Sequence, residues 1–286
     1  MGCCQSGSSY RLFMEPLDPA VVRHYEGIRE EDRISTGLGQ LELLRAREVL
    51  SRHLPGPPGT IVDIGGATGI HASWLADLGY RVRIIDVTPR HVAKAKAGFT
   101  SKDVTAELGD ARHLPYAGAT FDAALLFGPL YHLTEEADRL LALREAARVV
   151  KPGGMVAVAA VSRFASLFDG LGRQFLFDPD FAAIARNDLA SGQHRNPDDR
   201  PHWWTTAFLH HPDQLRSEAE RADLAVRELV GVEGLAAYLP QLAERWDDPR
   251  DRDVILWAAR AIEAEPTLLG LSPHLLLIAE SGAGGP

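Results

Sequence analysis

Apolar and polar positions change period repeatedly along this chain. Leu41, Leu44, Ala46, Val49 and Leu50 recur at helical spacing between Gly39 and Leu54. The stretch Pro55-Gly-Pro-Pro-Gly59 then stops the helix. Beyond it, short apolar runs alternate with helical ones. Thr60–Ile64, Arg81–Asp86, Val104–Leu108, Thr120–Phe127 and Met155–Val161 read as strands, and Ile70–Leu78, Arg90–Ala97 and Glu135–Val150 as helices. Strands separated by helices need crossover connections, which favour a parallel sheet with helices on both faces.

After Val161 the rhythm breaks. Residues 162–210 hold two helical stretches, a polar Asn187–Arg200 segment and the pair Trp203-Trp204. The alternation resumes with a helix at Pro212–Ala222 and a strand at Leu224–Val230. A helical excursion over about 235–269 precedes a last strand, Leu275–Ala279. The pattern predicts an α/β fold, doubly wound, with a mostly parallel seven-stranded sheet. Excursions that follow the strands of such a sheet commonly cover its carboxyl edge, where ligands bind. We therefore expect the Asn187–Arg200 region to order only when ligands are bound.

Composition narrows the function classes. The 286 residues are 45% hydrophobic and 24% charged, as in ordinary globular proteins. The net charge of −9 disfavours binding to a polyphosphate backbone. No apolar run is long enough to span a bilayer. The two cysteines, Cys3 and Cys4, are adjacent and supply no disulfide framework. Gly2 and Ser6 match a myristoylation pattern. Arginine, however, greatly outnumbers the four lysines Lys94, Lys96, Lys102 and Lys151. That bias suggests a GC-rich bacterial genome, in which such lipidation is not expected, and a cytoplasmic protein is the expectation.

The strongest chemical signal is Ile61-Val-Asp-Ile-Gly-Gly-Ala-Thr-Gly-Ile70, a Gly-rich turn between a strand and a helix. Such a turn lets backbone approach a ligand closely. A dinucleotide fingerprint needs glycine at three spaced positions, occupied here by Gly65, Ala67 and Ile70. Two of the three fail, which disfavours a nicotinamide-dependent oxidoreductase.

At these residues the chain resembles class I S-adenosylmethionine-dependent methyltransferases, small-molecule branch, whose first motif runs D-x-G-x-G-x-G. Asp63, Gly65 and Gly69 match it, and Ala67 replaces the middle glycine. The resemblance implies a Rossmann-like core with S-adenosylmethionine held by Asp63, Gly65, Gly66, Ala67 and Gly69. It also implies that Asp86, at the end of the second strand, binds the ribose hydroxyls, as a two-oxygen acceptor can. Leu108-Gly-Asp-Ala111 resembles the adenine-side motif, with Asp110 and Ala111 as contacts. The strand ending Leu125-Leu-Phe-Gly resembles the fourth motif and places Phe127 beside the methionine portion. Arg148-Val-Val-Lys-Pro-Gly-Gly154 matches the helix–turn–strand before the fifth strand and is structural.

On this reading residues 1–54 are an N-terminal helical cap and 55–161 the cofactor-binding half of the core. Residues 162–210 are a helical lid insertion, and 211–286 the C-terminal half with its own helical insertion at about 235–269. The expected activity is methyl transfer to a small-molecule acceptor in bacterial secondary metabolism. A nucleic-acid substrate, a membrane and a metal are not expected. Substrate contacts are expected from Tyr25, Tyr131, His132, His194, Trp203 and Trp204, with His132 as candidate general base. A non-catalytic S-adenosylmethionine sensor or accessory subunit is the alternative.

Overall fold

The computed structural model describes residues 37–200 and 202–282; Gly2, Cys3, Cys4, Ser6 and Tyr25 lie outside them. Helix α1 (Gly37–His53) precedes β1 (Thr60–Ile64). The chain continues through α2 (Ile70–Asp77), β2 (Arg81–Asp86), α3 (Pro89–Gly98), β3 (Val104–Leu108), β4 (Phe121–Leu126), α4 (Pro129–His132), α5 (Glu136–Val149) and β5 (Val150–Ser162). Helices α6 (Ala165–Gly172) and α7 (Pro179–Ser191) lead to the short strands β6 (Gln193–His194) and β7 (Ala207–His210). Then come α8 (Pro212–Arg221), β8 (Leu224–Gly231), α9 (Leu242–Trp246), α10 (Pro249–Ile262) and β9 (His274–Ser281).

Five strands, β3-β2-β1-β4-β5, are parallel neighbours. Strand β9 runs antiparallel to β5, and β8 antiparallel to β9. These are the seven strands that the alternation predicts. Among the described residues the sheet has nine, because β7 pairs with β5 at Val161↔Leu209 and β6 pairs with β7. Val161 also faces His274 of β9, so β7 must take the other edge of β5, beyond Val158, where β4 has ended. The segment read as a helical lid thus ends inside the sheet. Four residues are too few for a period to register in the sequence.

Helices on both faces bury both faces of the strands. In β1, Ile61 packs with Val49, Leu50, Ala72 and Leu75 on one side. Val62 and Ile64 pack with Ala142, Leu143 and Leu215 on the other. The order reverses between β1 and β4, and at such a point the connecting loops diverge and leave a crevice at the carboxyl ends. Among the described residues, no helix is long and apolar enough to cross a membrane.

Candidate active site

The crevice is a cleft of about 1390 Å³, counting its open mouth, and the Gly-rich turn after β1 forms its floor. Gly65 has φ +78°, and a Cβ there would lie 2.3 Å from Pro129. Gly69 has φ +92°, and its Cβ would meet Phe99 at 2.5 Å. These glycines are required by the turn's own packing as much as by any ligand. Ala67 keeps the left-handed turn at φ +46°, a conformation that costs a residue with a Cβ roughly 1–2 kcal/mol. Its N–H donates to Asp86 Oδ2 at 3.0 Å, which ties the turn to the end of β2.

Three carboxylates converge at the strand ends. Asp86 also accepts from the Thr88 N–H at 2.8 Å and lies 3.3 Å from His91 Nδ1. Burial pushes its carboxyl up, but hydrogen bonds from His91 and Thr88 outweigh that and hold it below the usual range. Asp110 is gripped by Arg112, whose Nη2 donates to it at 2.7 Å and whose Nη1 reaches Asp138 at 2.7 Å. Asp63 differs from both. It is buried, neither of its oxygens has a hydrogen-bond partner, and burial followed by repulsion from Asp86 raises it to about 7.

Gly66, Ala111, Phe127, Tyr131 and His132 also line the cleft. Tyr131 and His132 stand on the one-turn helix α4, with ring centroids 4.7 Å apart. His194, Trp203 and Trp204 are not among the lining residues. His194 is fully buried, with Asp188 Oδ2 2.8 Å from Nδ1 and the Trp203 carbonyl 2.8 Å from Nε2. Trp203 packs on Phe181 and beneath Arg200, and Trp204 lies against His194. All three hold the 162–210 segment to itself. A buried ring satisfied at both nitrogens has nothing left to offer a substrate.

Sequence reasoning missed other lining residues. His71, on α2, sets its ring 5.0 Å edge-on to Phe127, and its Nδ1 is shut off from solvent without a partner. Burial and then Arg47 push its pKa down to about 4, so it is neutral. Glu42 of α1, Val232 and His274 arrive from distant parts of the chain. For His71 the helix periodicity was a usable signal; for the others only topology brings them in.

Residues 62–158 match the methyltransferase domain family. The chain is 33% identical over 155 residues to demethylmenaquinone methyltransferase of Corynebacterium kroppenstedtii, covering 53% of this chain and 64% of that protein. The chain therefore spans less than two thirds of that relative. It is 29% identical over 224 residues to demethylmenaquinone methyltransferase of Mycolicibacterium vanbaalenii, covering 76% and 87%. The fold matches that of an S-adenosylmethionine-dependent methyltransferase from Mesorhizobium loti with a TM-score of 0.57, at 17% identity over 82% of this chain and 97% of that one. Over residues 62–158 and in its fold, the chain is thus similar to these methyltransferases.

The Mesorhizobium loti protein is named for dependence on S-adenosylmethionine. The donor set of the cleft fits it. The molecule carries an ammonium, a sulfonium and two ribose hydroxyls, all of which seek carboxylate or other acceptor oxygens. Asp63 supplies two unpartnered ones inside the cleft wall. A buried carboxylate without donors is costly unless a ligand completes it.

Proposed function

We propose that this methyltransferase transfers a methyl group from S-adenosylmethionine to a small-molecule acceptor. What carries the reading is one juxtaposition: Asp63, Asp86 and Asp110 share a cleft with an apolar wall of Leu43, Ala46, Val232 and Leu276. The carboxylates suit the cofactor's cationic and hydroxyl groups, and the apolar wall suits an uncharged organic acceptor. That two relatives are named for demethylmenaquinone supports an acceptor of that general kind, an organic ring. The net charge of −9 supports a small molecule over nucleic acid as the acceptor.

When bound, the cofactor supplies an electrophilic methyl group. The rest is done by the chain. Asp86, already oriented by Ala67 and Thr88, keeps lone pairs for the ribose hydroxyls. Asp110, fixed by Arg112, and Ala111 take the adenine side. Asp63 pairs with the ammonium, and Gly65–Ala67 and Gly69 let the backbone lie close. Phe127 screens the methionine portion from water, while Tyr131 and His132 contact the acceptor from α4. Holding both reactants in line and dry supplies most of the rate in such a displacement.

The test is mass spectrometry of metabolite extract incubated with the protein and deuteromethyl-labelled cofactor. A labelled small molecule, formed only with intact protein, is expected. Tight cofactor binding without any labelled product would replace the transferase reading with that of a sensor or accessory subunit.

A further inference from the structure

The antiparallel pairing of β8 with β9 sets Gly231 opposite Leu275, so the turn after β8 lies beside the start of β9. The Val232 N–H donates to the His274 carbonyl at 3.0 Å. That register presses Glu233, fully buried, against the His274 ring. Glu233 Oε1 lies 2.5 Å from Nδ1. Its Oε2 accepts from the Ser272 hydroxyl at 2.8 Å and from the His274 backbone N–H at 3.2 Å. The Ser272 oxygen accepts in turn from the N–H groups of Glu233 and Gly234, at 3.0 and 3.1 Å. Its one proton therefore points at Glu233.

The consequence is a defined tautomer. An ionised carboxylate only accepts, so the short contact at Nδ1 requires Nδ1–H, and the ring's lone pair then sits on Nε2. The ring lines the cleft, with its side chain 26% exposed. A histidine oriented by a buried carboxylate and facing a ligand cleft has the geometry of a general base.

We propose that His274, positioned by Glu233, takes the proton from the acceptor's nucleophile during methyl transfer. The inference rests on the methyl-transfer reading above. The acceptor's O–H or N–H bond breaks as its heteroatom bonds to the methyl carbon. The proton passes to Nε2, and the electron pair of the broken carbon–sulfur bond stays on sulfur. The Glu233 carboxylate against Nδ1 stabilises the imidazolium. Among the described residues, Glu42 of α1 also faces the ring, with Oε2 3.9 Å from Nδ1. Tyr238 feels the charges of both Glu233 and Asp169. The ligand atoms of Glu42, Glu233 and His274 fall within 4.8 Å of one another, which makes a divalent cation the competing occupant. Glu233 already has a hydrogen-bond partner on each oxygen, and this favours the proton-transfer role.

The experiment uses the full chain, the labelled cofactor and the acceptor recovered from extract. His274→Ala and His274→Gln should each lower turnover by about 10²–10⁴-fold with cofactor affinity unchanged by calorimetry. Glu233→Gln keeps the shape but removes the charge that stabilises the imidazolium. It should move the acid limb of the pH–rate profile to lower pH, which a purely structural role would not do. In ¹⁵N NMR of the protein alone, His274 should show the Nδ1–H tautomer and titrate at lower pH in Glu233→Gln. Near-normal turnover in folded His274→Ala, an unmoved acid limb, the Nε2–H tautomer or a stoichiometric metal in the purified protein would each overturn the assignment. So would a His132→Ala variant that alone abolishes turnover at unchanged cofactor affinity. Absence of product from the unaltered protein would overturn the transferase reading and this role with it, while the NMR would still show whether the pair forms.

Discussion

Asp63 shows how much one residue's setting decides. It sits on β1 with its neighbour Ile61 on the same face, yet the burial that suits isoleucine leaves a carboxylate without donors. Its folded pKa of about 7 exceeds the ordinary value of 3.8, so this group favours folding below about pH 4 and loses that contribution as pH rises through 7. His71 works the other way. With a folded pKa of about 4 against 6.5, its contribution is present above 6.5 and lost as pH falls towards 4. Between pH 4 and 6.5 the two oppose each other. Asp63→Asn should therefore raise the melting temperature at pH 8 without cofactor and expose a steeper loss below pH 6.5. Melting curves across pH 4–8 check both. On the proposed pairing with the ammonium, S-adenosylmethionine should stabilise the unaltered protein more than the variant.

At the scale of elements, the boundaries of β1 and β2 fall where the apolar runs put them, because central parallel strands are buried on both faces. Elements whose residues have partners elsewhere were harder to read. Helix α4 is one turn, opened by Pro129 at its first position, and carries no period. Strand β7 exists through its neighbours. Beneath it, buried Arg139 of α5 donates to Glu218 of α8 at 2.7 Å and stacks 3.5 Å from the centre of Phe208. The same guanidinium donates to the carbonyls of Leu133 and Thr134, the residues just after His132. Burial pushes the Glu218 carboxyl up, but hydrogen bonds from His210 and Arg139 outweigh this and hold it at about 2. Glu218→Gln leaves a buried guanidinium uncompensated and should cost about 3–5 kcal/mol in denaturant unfolding. Replacing Arg139 and Glu218 together by Met and Leu should cost much less. Equal losses in the single and double variants would show that the pair itself is not the source.

At the scale of the whole molecule, the segment over 162–210 is braced where the sequence suggested looseness. Asp188 and His194 are fully buried and bonded across the end of α7, and Asn196 ties the turn to the carbonyls of Arg200 and Trp204. Amide exchange should thus be slow over 188–194 even without ligand, and His194→Ala should release it. Fast exchange there in the unaltered protein would restore the ligand-ordered lid. By itself, the sequence determined the doubly wound core and the three aspartates that line one side of the cleft. Both are written locally: two-sided burial makes continuous apolar runs, and each aspartate sits within two residues of the end of its own strand. The other wall was decided by tertiary structure alone. Glu42, Glu233 and His274 come from α1, the turn after β8 and the start of β9, and no local pattern links them. They meet because β9 returns antiparallel beside β5 and carries β8 with it. Pairing energy of that kind depends on which strands become neighbours, a property of the folded sheet that no short window of residues contains.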